Sequence, residues 1–325
     1  MSQVTALLNS RATAVGVIAG VAYGLVARIV FMTRSATELF GVMTIAFLVM
    51  VPIVVGILTV SRSDNPSNAF RVFGPWLPMF LTLVATAVFG WEGAICIYLA
   101  IPVVFPFASI GGIVGGYLQR QRRGMRSLIL ALPFVAGPLE SRVGNPVSLV
   151  RTTQQIEIVA PPSIVWPLVA SVDSIKPEEQ SRALFLTLGF PQPISATLSH
   201  PGEGGIRSAK FEGGVVFTET VTEWIPGRKL SFTIDPNTGA IPPTTLDPHV
   251  TIGGPYFDVL TGTYELIPSS DGRSTRLILQ STHRVSTHFN LYSGWWADRI
   301  MASIQRNILF VHKQRAEKLA RASST

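Results

Sequence analysis

Cysteine is almost missing from this chain of 325 residues: Cys96 stands alone inside an apolar run. A single thiol excludes a disulfide framework and a cysteine-built zinc site within one chain. Charge is sparse as well, at 14% of residues against 47% hydrophobic, a balance tilted toward membrane proteins. Lysine does not occur in residues 1–126, which hold nine arginines and only three acids, Glu38, Asp64 and Glu92, for a net charge of +6. The rest of the chain carries 17 basic and 16 acidic groups, a net of +1. The basicity therefore belongs to the apolar half, where it marks membrane orientation, and no nucleic-acid partner is expected. There is no Gly-x-Ser-x-Gly elbow and no phosphate-binding glycine loop. No cofactor or metal is expected. Asp247 and His249 supply two ligands without a third.

What the sequence does have is length of apolar run. Four segments reach the roughly 20 residues that a bilayer crossing needs: Ala12–Met32, Leu39–Val60, Phe73–Trp91 and Gly93–Leu118. A fifth, Ser127–Leu139, is short and contains Pro133 and Pro138, so it reads either as a thin crossing or as an interfacial turn. A cleavable signal peptide fits the start of the chain poorly. Arg120, Arg122, Arg123 and Arg126 form the densest basic cluster, with Arg62, Arg71 and Arg11 on the same side, and this side is expected in the cytoplasm. If the fifth segment crosses, all that follows lies outside the cytoplasm, and this is the expectation adopted here.

Gly16, Gly20 and Gly24 recur at every fourth position, and Gly111/Gly115 and Gly112/Gly116 repeat the spacing. Small residues on one face permit close helix packing in lipid. Packing within the bundle is the plain reading; a homodimer through Gly16, Gly20 and Gly24 is the alternative. Glu92 is expected in an exposed turn, and Arg28 to snorkel or pair.

After about residue 150 the pattern changes. "QQIEIVA" alternates as a half-buried strand does, and "PPSIVWPLVA" breaks it and opens a short helix with proline in its first turn. Strands are predicted over Ile194–Ser199, Gly205–Phe211, Val215–Trp224, Lys229–Ile234, Tyr256–Ile267 and Arg273–Val285, with "IPGRKL" and "PSSDGRS" as hairpin turns. A long helix over Thr287–Ala320 closes the chain, with Trp296, Ile300, Ile304, Ile308 and Val311 as its apolar stripe. The fold class is α+β: a helical membrane region over residues 1–140, a linker over 141–151, and a curved antiparallel sheet wrapped around a long helix over 152–320.

"IEIVAPPSIVWPLVA", "FTETVTEWIPGRKLSFTI", "GTYELIPSSDGRSTRLILQSTHRV" and "WWADRIMASIQRNILFVHKQRAE" together resemble the START-like, or SRPBCC, superfamily of helix-grip domains. That superfamily includes plant allergens, polyketide cyclases and lipid-transfer domains. The resemblance covers Thr152–Glu317 and looks nearest to bacterial proteins that join such a domain to a multi-span region. It implies a cavity for a hydrophobic small molecule or lipid, held at the bilayer of a bacterial cytoplasmic membrane. Chemistry varies within the superfamily, so a cyclase- or hydrolase-type enzyme and a regulatory protein-interaction module remain as alternatives.

Strand alternation selects the cavity residues. In Val215–Trp224 the odd positions, Phe217, Glu219, Val221 and Glu223, are predicted to face inward. Leu279 and His283 share the inner face of the last strand, and Asp258 and Tyr264 share one face of the strand before it. Trp296 faces them from the helix. An acid, an imidazole and a phenol in an apolar pocket suit a ligand's polar head or acid–base work. The plain alternative is that they satisfy one another, or reach Arg207 or Arg284. Asp247 and His249 sit in a Gly/Pro-rich loop, either a lid over the cavity mouth or an ordinary connection. His200, His288 and His312 read as structural or exposed.

Overall fold

The computed structural model describes residues 11–32, 41–119, 123–181, 185, 190–236 and 252–323. The chain divides into two compact units, Met1–Pro146 with Thr287–Phe289, and Val147–Ser286 with Asn290–Thr325.

In the first unit the helices are α1 (Arg11–Met32), α2 (Val51–Ser61), α3 (Asn68–Phe73), α4 (Trp76–Val88), α5 (Ala94–Leu118) and α6 (Arg123–Val143). Among the described residues, three helical stretches are long and apolar enough to cross a membrane: Arg11–Met32, Asn68–Val88 and Ile95–Leu118. The second expected span is shorter than its sequence run suggests. Its described helix covers Ala46–Ser61 and opens with a turn of π-helix over Ala46–Met50. Pro52 explains that turn: a proline has no N–H to give and its ring crowds the carbonyl four residues back, which a wider turn relieves. Pro133 and Pro138 do not break α6, which runs on through both.

Side chains tie the bundle together at both ends. At one end the Thr13 and Ser63 hydroxyls lie 3.0 Å apart, and the Gln119 amide donates to the carbonyls of Val60 at 2.9 Å and Ser63 at 2.8 Å. Midway along, the Tyr23 hydroxyl donates to the Leu130 carbonyl at 2.8 Å. At the other end the Glu140 carboxylate accepts the backbone N–H groups of Ile45 and Ala46 at 2.7 and 3.0 Å. Helix α6 thus runs the length of the bundle, from the end that holds Gln119 to the end that holds Ile45.

Glu92 does sit in a turn, between α4 and α5, but it is not exposed. Arg28 Nε donates to it at 2.7 Å, both side chains are largely buried, and Arg28 also donates to the Trp91 carbonyl at 2.5 Å. Apolar surroundings favour this mutual neutralisation over two separate buried charges. Gly16, Gly20 and Gly24 are buried against Thr59, Val55, Pro78 and Thr82 of the same chain, so the face considered for a homodimer is occupied within the bundle. At the α2–α5 crossing a Cβ on Gly56 would collide with the backbone of Ala108 and Gly112. Only glycine lets these two helices approach so closely.

The second unit is a seven-stranded antiparallel sheet in the order β1-β7-β6-β5-β4-β3-β2. The strands are β1 (Val147–Ile158), β2 (Pro193–Leu198), β3 (Ile206–Phe211), β4 (Val216–Ile225), β5 (Lys229–Pro236), β6 (Phe257–Pro268) and β7 (Thr275–Ser286). Helix α7 (Pro162–Ala170) follows β1, with Pro162 at its first position and Val165 and Val169 fully buried. Helix α8 (Asn290–Ala322) closes the chain. This is the helix-grip architecture, with every described strand within two residues of its predicted bounds except β1. That strand begins at Val147, ahead of both the alternating stretch from Gln154 and the expected domain start at Thr152, leaving Gly144, Asn145 and Pro146 between α6 and β1. The core sits between sheet and α8, built from Ile158, Leu230, Phe232, Leu266, Leu277 and Leu309 among others.

The face that α8 turns to the core is rotated from the predicted stripe. Gly294, Ala297, Ala302, Gln305, Leu309, His312 and Ala316 are buried, and so is Val311 of the predicted stripe, while its other members Trp296, Ile300, Ile304 and Ile308 are half-buried on the flank. Small residues let the helix sit close to the sheet: a Cβ on Gly294 would already touch Val150. The bulky residues then pack beside the contact line rather than on it.

Candidate functional site

Antiparallel register builds the site. Arg207 on β3 stands directly opposite Glu219 on β4, and Tyr264 reaches the same inner surface from β6. His312 descends from α8, with Ile308 and Val311 beside it. Together with Val172, Ile175 and residues of β2 and β3 they line a cavity of about 50 Å³, room for a few waters.

Within it, Arg207 Nη1 donates to Glu219, and both side chains are almost wholly buried. The guanidinium lies 5.5 Å from the ring centre of Phe232 and 5.7 Å from that of Tyr264, a cation–π arrangement that strengthens out of water. Phe232 can lie there because its register partner is Gly262, where a Cβ would come within 2.5 Å of the ring. His312 meets Tyr264 edge-on, with ring centres 5.8 Å apart.

Burial sets the direction of the shift for Glu219, Tyr264 and His312, but not for Arg207. It raises the Glu219 carboxyl above the usual carboxylate range, with the Arg207 charge pulling the other way. The same burial penalises Arg207, yet Glu219 holds it protonated and its pKa stays raised. Burial also raises the Tyr264 phenol. His312 is pushed down to about 3 by burial and then by the charges of Arg207 and Arg315, so its imidazole is neutral. Two buried nitrogens here, Arg207 Nε and His312 Nδ1, have no hydrogen-bond partner among the described residues.

A strap formed by residues 172–181 crosses one side of the cavity. Arg315 clamps it, with bonds of 2.7 Å to both Glu179 carboxylate oxygens and of 2.8 Å to the carbonyls of Asp173 and Ser174. Asn307 adds a 2.8 Å bond to Gln180 and accepts the Ser181 N–H at 2.6 Å. The Arg315 partner holds the Glu179 carboxyl below its ordinary range.

Of the residues selected by alternation, Glu219 and Tyr264 line the cavity. Val221 and Leu279 are in the apolar core, and Phe217 packs against Phe211 with ring centres 5.4 Å apart. Trp296 packs on the flank of α8, against Tyr292 and Trp295, and does not line the cavity. Asp258 is on the opposite face of β6 from Tyr264. A bulge between Val259 and Thr261 reverses the parity, so Val259 pairs with inward-facing His283 and Asp258 pairs with Arg284. A bulge between Val221 and Glu223 does the same on β4: Trp224 turns inward and Glu223 outward, 2.8 Å from Lys229. Asp247 and His249 lie outside the described residues.

His283 is fully buried at a second polar position between sheet and helix. Neither ring nitrogen has a hydrogen-bond partner among the described residues, and burial pushes the imidazole down to about 4 against the pull of Asp298. Nearby, Gln305 donates to Ser281 at 2.8 Å and to the Thr152 carbonyl at 3.1 Å. His312 is the site residue that the sequence reading missed. The available signal was its place four positions after Ile308, on the side of the helix toward which the real buried face is rotated. Among the described residues no group of His, Cys, Asp and Glu could hold a metal ion.

No family model and no curated protein matches the chain. Similar solved structures include the Zhui aromatase/cyclase from a Streptomyces species, 17% identical over 54% of this chain and 98% of that one, with a TM-score of 0.32. A START superfamily protein from Mycobacterium smegmatis is 11% identical over 52% of this chain and 98% of its own, at a TM-score of 0.35. A protein from Thermus thermophilus is 17% identical over 54% of this chain and 99% of its own, at 0.33. The helix-grip assignment rests on this chain's own strand order and on the long helix held against the sheet's inner face.

Proposed function

We propose that this is a membrane-anchored protein whose helix-grip domain binds a hydrophobic small molecule or lipid with a polar head. The observation that carries the reading is a pair of buried, unpartnered nitrogens, Arg207 Nε and His312 Nδ1, on two of the residues that line the cavity. Leaving such groups unpaired is costly, about 1–3 kcal/mol each, and a ligand oxygen or a water would relieve it. Arg207 Nε offers a donor, and neutral His312 offers a donor or an acceptor according to tautomer. A ligand larger than a few waters must displace the strap clamped by Arg315. The arrangement suits binding better than catalysis: Glu219 is committed to Arg207, and an imidazole with its pKa near 3 is a weak general base.

The bundle is proposed to sit in a cytoplasmic membrane with the helix-grip domain outside the cytoplasm. The course of α6 along the whole bundle supports this, because the chain then leaves at the end opposite Arg11, Arg62 and Arg71. The binding test is mass spectrometry of compounds that co-purify with the full chain, compared with Ala209→Leu, which fills the cavity. A compound retained by the first and lost from the second is expected. Equal recovery from both would overturn the reading.

A further inference from the structure

The second unit exposes apolar side chains at one end, and their chemistry is that of a membrane interface. Leu291, in the first turn of α8, is 96% exposed, and Trp295, one turn on, is half exposed. Arg299 follows after another turn, its guanidinium 4.7 Å from the centre of the Trp295 ring. Spacing of four residues places all three on one face of α8, and that face turns away from the sheet, toward which Gly294 points. At the start of β1, Val147 and Leu149 are also mostly exposed, followed by exposed Arg151. A 2.9 Å hydrogen bond from Asn290 to Ser148 fastens the beginning of α8 beside the beginning of β1, so both sets of apolar residues occupy the same end.

We infer that Leu291, Trp295, Val147 and Leu149 form a docking surface for the lipid bilayer, with Arg299 and Arg151 reaching its phosphates. This rests on the reading of the bundle as membrane-spanning. Chain length selects the occupant. Only Gly144, Asn145 and Pro146 separate α6 from β1, so Val147 stays within about 15 Å of the end of α6. The headgroup layer is about 5–8 Å deep on each side, so a tether of this length keeps the start of β1 within reach of the bilayer surface. A tryptophan flanked by leucine and arginine is the residue set that settles in such a layer: the ring at the headgroups, the aliphatic chain below it, the guanidinium at phosphate. Docking would hold the helix-grip domain against the medium into which its hydrophobic ligands partition.

The test uses the full chain with Cys96→Ala, reconstituted in nanodiscs of mixed anionic and zwitterionic lipid, with a nitroxide on Leu291→Cys. Collisions with oxygen should exceed those with a water-soluble nickel chelate several-fold relative to a label on Lys318→Cys, far along α8. Nickel access at residue 291 equal to that at residue 318 would overturn the inference. Poor access for both reagents at residue 291 would overturn it too, since that marks contact with protein. A label on Ile110→Cys, at an exposed position of α5, reports on the bundle itself. Oxygen-rich at residue 110 with water at residue 291 rejects the docking alone; water at residue 110 rejects the membrane reading together with it.

Discussion

Acidification below neutral pH should destabilise the helix-grip domain through its buried neutral imidazoles. His312 is buried in neutral form, with its pKa at about 3 in the fold against about 6.5 in an unfolded chain. Arg207 and Arg315 face it as positive charges and Tyr264 as a neutral ring. The folded pKa is depressed, so the unfolded chain binds the proton first. Stability is complete above pH 6.5 and declines as pH falls through the interval down to about 3. At pH 5 the loss from His312 alone is about 2 kcal/mol, from 1.36 kcal/mol per unit over 1.5 units. His283, depressed to about 4, acts in the same direction over a narrower window. Glu219 opposes them, because its raised pKa lets the folded state take up a proton more readily. Urea unfolding of residues 147–325, followed by far-ultraviolet circular dichroism from pH 7.5 to 5.0, measures the slope. His312→Gln should flatten it by close to one proton. A midpoint that is constant over this range in the wild type would refute the burial of neutral imidazole at this site.

Other expectations follow from the same geometry. Residues 147–325 should be soluble and melt cooperatively alone, since they hold a complete sheet and core; aggregated material without a transition would contradict this. Glu219→Leu should destabilise the domain by about 3–5 kcal/mol by stranding the Arg207 charge, whereas the double variant with Arg207→Met should recover most of the loss. A double-mutant cycle in urea reads the coupling, and additive losses would show that the pair is not buried as described. Arg315→Ala should accelerate amide exchange in the strap at residues 172–181 while leaving β7 protected; unchanged exchange would remove the clamp from the account. A C-terminal reporter active only in the cytoplasm should be silent, and a strong signal would place the domain inside.

The sequence by itself determined the two-part division, the order of strands and helices, and the apolar character of the first half. These depend on local signals: unbroken apolar length, period-two alternation, turn residues, and proline at a helix start. It also selected Glu219 and Tyr264, because alternation is reliable between a turn and the first irregularity. Beyond a bulge it is not. One extra residue near Leu260 carried Asp258 to the outer face, and one near Thr222 exchanged Glu223 for Trp224. A bulge has no strong signature in residue type, since it is set by how two neighbouring strands must bend together.

Only the tertiary structure decided the rest. The rotation of α8 depends on what the concave sheet will accept: small residues and the polar Gln305 and His312 reach the contact line, and a stripe drawn for greatest hydrophobicity points elsewhere. The pairing of Arg28 with Glu92, and of Arg207 with Glu219, joins residues 64 and 12 positions apart. A charge in the sequence states only that it must find a partner or water; which one it finds is decided by the elements that pack around it.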